Sequence, residues 1–188
     1  MPRTRVNVWL ALAAVGGMAY PVLVYVGLTY LSPAWLAGLA LGLIVVRLWG
    51  IRRSPAFRIW SPAFAAIAAV IAVLSLLAPI IAVKAYPALV SLAVGSVFAM
   101  SLIWPPTAVE RLARLAEPSL SAAGQAYTRR VTQIWVIFLF ANVVISTASG
   151  VWGSTEQWTL WNGLISYLLM GALFGGEMIV RRYLWARA

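Results

Sequence analysis

Long apolar runs separated by short polar gaps constrain this chain more than anything else in its sequence. A helix needs about 20 mostly apolar residues to cross the hydrocarbon core of a bilayer. Six runs approach or exceed that length, over residues 6–31, 34–48, 60–83, 85–104, 131–152 and 158–180. The chain has 188 residues, of which 63% are hydrophobic and only 10% charged. One soluble core of that size cannot bury so much apolar surface. A bilayer takes up the remainder, because lipid is itself an apolar solvent. The sequence therefore predicts an all-α, polytopic membrane helix bundle of about six transmembrane helices, a single domain over residues 1–188. The second run is the shortest and carries Arg47 near its end, while Lys84 and Pro87 mark the expected turn between the third and fourth.

Basic residues set the orientation, because cytoplasmic loops carry an excess of Lys and Arg. With the N-terminus inside, the inside segments hold Arg3, Arg5, Arg47, Arg52, Arg53, Arg58, Arg111, Arg114, Arg129, Arg130, Arg181, Arg182 and Arg187. The outside segments hold only Lys84, so the tally is thirteen against one of the fourteen basic residues. Both termini are expected in the cytoplasm. The first run outlasts a signal-peptide core of about 7–15 residues and reads as a span, not a cleaved leader. The net charge of +10 does not point to nucleic acid, since the arginines sit between apolar runs and not on one wet face. Trp9, Trp49, Trp60, Trp104, Trp152, Trp158 and Trp185 fall near the predicted helix ends and read as an interfacial belt.

Cys, His and Asp are absent. That removes thiol chemistry, catalytic triads and the usual zinc sites, so no cofactor or metal is expected. The acids are Glu110, Glu117, Glu156 and Glu177, and only Glu177 lies in an apolar run. Enzyme chemistry would have to rest on Glu177 or Glu110 with Arg or Tyr assistance, and the reading leans away from catalysis.

Residues 105–130 form the one substantial polar segment, a long cytoplasmic loop. Thr107 followed by Glu110 fits a capping box. The helix it opens puts Val109, Leu112, Leu115 and Ala116 on one side, flanked by Arg111 and Arg114, and Pro118 ends it. That pattern predicts a short amphipathic helix lying on the inner membrane surface, followed by a small-residue loop over 119–127. Arg111, Arg114, Arg129 and Arg130 read either as a docking surface for a soluble partner or anionic lipid, or as charge that fixes topology; the second is favoured.

Ionisable and amide groups inside apolar runs mark function or packing. Glu177 has Arg181 one turn on, so an ion pair on one helix face is available; the alternative is a carboxylate facing inward to bind a cation, a proton or a polar head group. Asn142, in mid-helix, is expected to bond a neighbouring helix. Asn162, with Trp158, Trp161 and Tyr167 nearby, reads as interfacial anchoring or as the lining of an outward pocket. Gly38 with Gly42, and Gly171 with Gly175, form GxxxG pairs that permit close helix approach and a homo-oligomer.

The second half has a likeness of its own. It lies in Ile103-Trp104-Pro105-Pro106-Thr107, the stretch Glu110 to Leu115, Tyr127 to Arg130, Trp135, Asn142, Trp161 to Tyr167, Leu169 to Gly171, Phe174, and Gly176-Glu177 through Arg181-Arg182. Over residues 85–182 the chain resembles a group of bacterial inner-membrane proteins encoded in clusters for aryl-polyene pigments or related fatty-acid-like products. It is also similar, more faintly, to intracellular septation protein A. The first half matches only in hydropathy.

The resemblance implies a multi-pass protein of the bacterial inner membrane, a non-catalytic component supporting synthesis or export of a lipid-like product. The arginines of the loop would then hold an acyl carrier protein or acyl-processing enzymes at the membrane. The alternatives are a small transporter or a lipid-translocating or lipid-binding protein, with Glu177, Asn142 and Asn162 along its path, and a cell-envelope protein tied to septation.

Overall fold

A computed structural model describes residues 8–52 and 57–185. Among them all regular structure is helical: α1 (Val8–Tyr30), α2 (Pro33–Ile51), α3 (Phe57–Leu77), α4 (Pro79–Ile103), α5 (Ala108–Ala116), α6 (Ala122–Trp152), α7 (Thr155–Leu160), a π-helical turn (Trp161–Ile165) and α8 (Ser166–Trp185). Five stretches are long and apolar enough to cross a membrane: Pro33–Ile51, Trp60–Leu77, Pro79–Ile103, Ala122–Trp152 and Thr155–Arg181. Within α1, Val15–Tyr30 is a shorter apolar helix. Arg3, Arg5, Arg53 and Arg187 lie outside the described residues, as do the side chains of Trp9, Arg58, Arg182 and Trp185.

Two boundaries differ from the sequence reading. The turn between the third and fourth helices falls at Ala78, not at Lys84 and Pro87. Pro79 fits the first turn of α4, where its missing N–H goes unnoticed. The residue before a proline is pushed out of the helical region, and Ala78 sits at φ −152°, ψ 76°. Lys84 and Pro87 are then inside α4. The second difference lies in the polar loop. Ser121 accepts a hydrogen bond from the Gly124 N–H at 3.2 Å and starts α6 at Ala122, so residues expected in a loop, together with Arg129 and Arg130, are the first turns of a 31-residue helix.

Prolines inside two helices explain how distant elements are joined. Pro21 has no N–H for the carbonyl of Gly17, and Pro87 has none for that of Val83. In a bilayer a freed carbonyl must find a donor within the protein. The Tyr167 hydroxyl donates to Gly17 O at 3.0 Å, and the Tyr20 hydroxyl donates to Val83 O at 2.9 Å. These bonds tie α8 to α1 and α1 to α4.

The core forms around Tyr20, Val24, Leu36, Ile44, Ile71 and Tyr86. α1 and α2 approach closely: a Cβ on Gly16 would meet Leu43 Cδ2 at 2.7 Å, and one on Gly27 would meet Leu36 Cδ2 at the same distance. The expected GxxxG glycines are not used this way. Gly38, Gly42, Gly171 and Gly175 have nothing within 4 Å of an added Cβ, so inside this chain they mediate no close contact. Trp158 is not interfacial either. It is fully buried, and its Nε1–H donates to Lys84 O at 3.2 Å. Trp49, Trp104 and Trp152 are exposed, as a membrane belt requires.

The capping box expected at Thr107 is present, with Glu110 N–H donating to Thr107 Oγ1 and Thr107 N–H to the Glu110 carboxylate, each at 3.3 Å. The start of α5 is tied on both sides, by Ala108 N–H to Ser101 Oγ of α4 at 2.8 Å and by Val109 N–H to Thr132 Oγ1 of α6 at 3.4 Å.

Candidate functional site

Between α4 and α6 on one side and α8 on the other lies a cavity of about 360 Å³. Its walls are apolar, with Val90, Val94, Phe98, Leu139, Met170 and Phe174 among the lining residues. Polar groups line it too: Arg47, Tyr86, Ser91, Asn142, Asn162 and Tyr167, with Glu177 farther along α8. A second cavity of about 290 Å³ adjoins it, lined also by Tyr127, Thr128 and Arg181. The two share Val109, Leu112, Phe174 and Glu177, so together they form one cleft that reaches α5.

The sequence reading counts Arg47 among the inside charges, near the end of its helix; in the structure its side chain turns into the bundle. The glycine opposite makes the room: a Cβ on Gly17 would meet Arg47 Nη2 at 2.7 Å. The guanidinium carbon stands 6.0 Å from the centre of the Phe64 ring, a cation–π distance. Tyr86 and Tyr167 also lie within its electrostatic reach. The signal for this was present in the sequence: an arginine in an apolar run, and a helix with adjacent glycines four residues before a proline.

The amides are structural as well as cavity-lining. Asn142 is buried, donates through Nδ2 to Ser91 Oγ of α4 at 2.9 Å and accepts at Oδ1 from Trp161 Nε1–H at 3.0 Å. Asn162 is also buried, not interfacial; its Oδ1 accepts from Ser146 Oγ at 2.7 Å and its Nδ2 donates to Trp158 O at 2.9 Å. Trp161 and Asn162 are neighbours in the chain, and the wider π-helical turn is where both reach α6. Their bonds fix the start of α8 against the rest of the bundle.

Glu177 faces the cleft, lining both cavities, and is half-buried. Its backbone carbonyl accepts from the Tyr127 hydroxyl at 3.4 Å, and the charges of Glu177 and Arg181 both act on that phenol. Arg181 lines the second cavity.

Three of the four arginines of α5 and the first turns of α6 are held by the chain itself. Arg114 pairs with Glu110 at 2.7 Å and donates to Pro118 O at 3.1 Å; Arg111 donates to Pro106 O at 2.9 Å; Arg129 donates to Leu102 O at 3.0 Å. Arg130 is exposed. Leu112 and Leu115 of α5 are exposed, at 62% and 83%, so much of the apolar side of this helix is uncovered by the chain.

Described residues that are helical in all their regular structure, with five stretches long and apolar enough to cross a bilayer, form a membrane-type helix bundle, here with an internal cleft that is cationic at one end. Comparison with known families, curated proteins and solved structures gives no match. The site's chemistry therefore stands on its own residues: a guanidinium, phenols, amides and hydroxyls around apolar walls, suited to holding an amphiphile.

Proposed function

We propose that the protein is a six-span inner-membrane protein, N-terminus and C-terminus in the cytoplasm, that binds or translocates a lipid-like molecule in the cleft between α4, α6 and α8. The observation that carries this reading is Arg47, a permanent charge held inside the bundle at an apolar-walled cavity. Such a charge is costly in a membrane and marks a ligand or transport path by default. The long, largely uncovered flank of α8 supports lateral entry from lipid, with Leu168, Phe174 and Ile179 exposed at 63%, 58% and 70%. Mild extraction from native membranes followed by mass spectrometry of bound small molecules tests it. A retained amphiphile, held less tightly by Arg47→Leu, is expected. A folded protein that retains no amphiphile would sink the reading.

A second role rests on α5, where Leu112 lines the cleft and both Leu112 and Leu115 are exposed. In this reading Arg111 and Arg114 of α5, with Arg129 and Arg130 in the first turns of α6, dock an acyl carrier protein or acyl-processing enzyme, supporting synthesis or export of a lipid-like product. Arg130 is the cleanest residue to reverse, because the other three also hold the loop together. Capture of the carrier protein by wild type but not by Arg130→Glu is the expected result, and equal capture would refute it.

A further inference from the structure

Arg47 is not the only polar feature at its end of the cleft. The Tyr86 hydroxyl is buried, in a residue only 2% exposed; the Arg47 guanidinium stands beside it as a charge and a donor, and the phenol's own proton meets no acceptor. Buried polar groups are nearly always satisfied, so a phenol proton with no acceptor, at the wall of a cavity, points to an acceptor carried by a ligand. Tyr86 lies next to Arg47 and lines the same cavity. Two donors thus lie side by side at the cavity wall, one of them charged. A guanidinium is the side chain best shaped for the paired oxygens of a carboxylate or a phosphate.

The rest of the cleft restricts what such an anion is attached to. A volume of about 360 Å³ is near the lower limit of small-molecule pockets, which run from about 300 to 1,000 Å³. The apolar walls suit a hydrocarbon chain. The neighbouring cavity continues the path past Phe174 and Leu112, so a chain too long for the first space extends toward α5.

We infer that Arg47 and Tyr86 form a binding site for the compact anionic head group, a carboxylate or a phosphomonoester, of a single-chain amphiphile. This rests on the amphiphile-binding reading above and adds the charge of the head, its place and the number of chains. Arg47 recognises the anion, Tyr86 donates to it, and the chain lies along α4, α6 and α8.

Native mass spectrometry on the full chain in zwitterionic nanodiscs tests the site, with tetradecanoic acid, tetradecyl phosphate and tetradecanol as probes. A hydrogen bond to a charged group favours the anion by about tenfold or more over the alcohol. At least one anion is expected to show that preference, and the stronger of the two identifies the head group. Arg47→Leu should bring anion binding down to the alcohol's level while alcohol binding stays as in wild type. Tyr86→Phe should weaken only the anions. Should Arg47→Leu fail to fold, Arg47→Lys replaces it, and its expected result is a smaller preference than wild type. Equal binding of all three probes to wild type overturns the anion site and leaves the amphiphile cleft standing. So does an anion preference that survives both Arg47 variants and Tyr86→Phe. No binding of any probe overturns the cleft reading itself.

Discussion

Replacing Tyr20 by Phe removes one hydroxyl and leaves the ring, which packs against Tyr86 with centroids 4.6 Å apart. What is lost is the 2.9 Å bond to Val83 O. Pro87 has already taken away the helical donor for that carbonyl, so in Tyr20→Phe it is left buried without a partner. An unsatisfied buried acceptor costs about 1–3 kcal/mol. Pro87→Ala returns a backbone N–H four residues on, and Val83 O is then satisfied whether or not Tyr20 carries its hydroxyl. In that background the same change removes only one of two bonds, worth about 0.5–1.5 kcal/mol. The two substitutions should therefore be coupled by about 1 kcal/mol, above the few tenths that independent sites show. Reversible unfolding in mixed micelles, measured for wild type, both single variants and the double variant, gives the number. A Tyr20→Phe cost that is equal with and without Pro87 would refute the claim that the tyrosine compensates for the proline. The pair Tyr167 and Pro21, joined at Gly17 O, offers the same cycle on the other side of the bundle.

Gly17→Ala places a methyl 2.7 Å from Arg47 Nη2, the end of a flexible side chain; stability should change by less than about 1 kcal/mol, while binding of an anionic amphiphile falls, as titration will show. Asn142→Leu strips partners from Ser91 Oγ and Trp161 Nε1 together, and should lower stability by about 2 kcal/mol or more, read as a drop in melting temperature in detergent. Glu110→Ala removes the reciprocal cap of α5 and the partner of Arg114. The cap accounts for about 1 kcal/mol, enough to loosen the helix locally and speed tryptic cleavage at Arg111 and Arg114 without changing the global melt.

The elements that could be read from the sequence are those whose signal is local. Apolar length announces the long helices, and Thr107 with Glu110 announces α5, because a capping box closes within four residues. Pro79 and Ser121 are equally local signals, but hydropathy drowned them: residues 60–83 read as one apolar run, and the small residues after Ser119 read as a loop. What stayed hidden depends on a second helix. Arg47 looks like a terminal charge until Gly17 opens a space for it. Trp158 has the composition of an interfacial residue, and only the Lys84 carbonyl shows that it is interior. Asn142 was legible as a helix-to-helix contact, though its partners, Ser91 and Trp161, were not.

Glu177 supplies a test of sign that no packing argument can imitate. Its carboxylate lies where the two cavities meet, near Arg181 and Tyr127, while Arg47 lines only the first. If the cleft takes an anion, a negative charge on the way in opposes it. At a separation on the order of 10 Å and an effective dielectric constant of about 20, one charge acts on another with about 1.7 kcal/mol, or somewhat over tenfold in affinity, less after screening by salt. Glu177→Gln should therefore bind an anionic amphiphile more tightly, by several-fold, and the gain should shrink as salt is raised. Arg47→Leu should move affinity the other way. A cationic ligand reverses both signs. A neutral amphiphile gives neither, so titration of one anionic probe against these two variants separates the three cases. Weaker anion binding in Glu177→Gln would mean that the carboxylate serves the site, through Arg181 or a bound cation, and would refute the polarity assigned to the cleft.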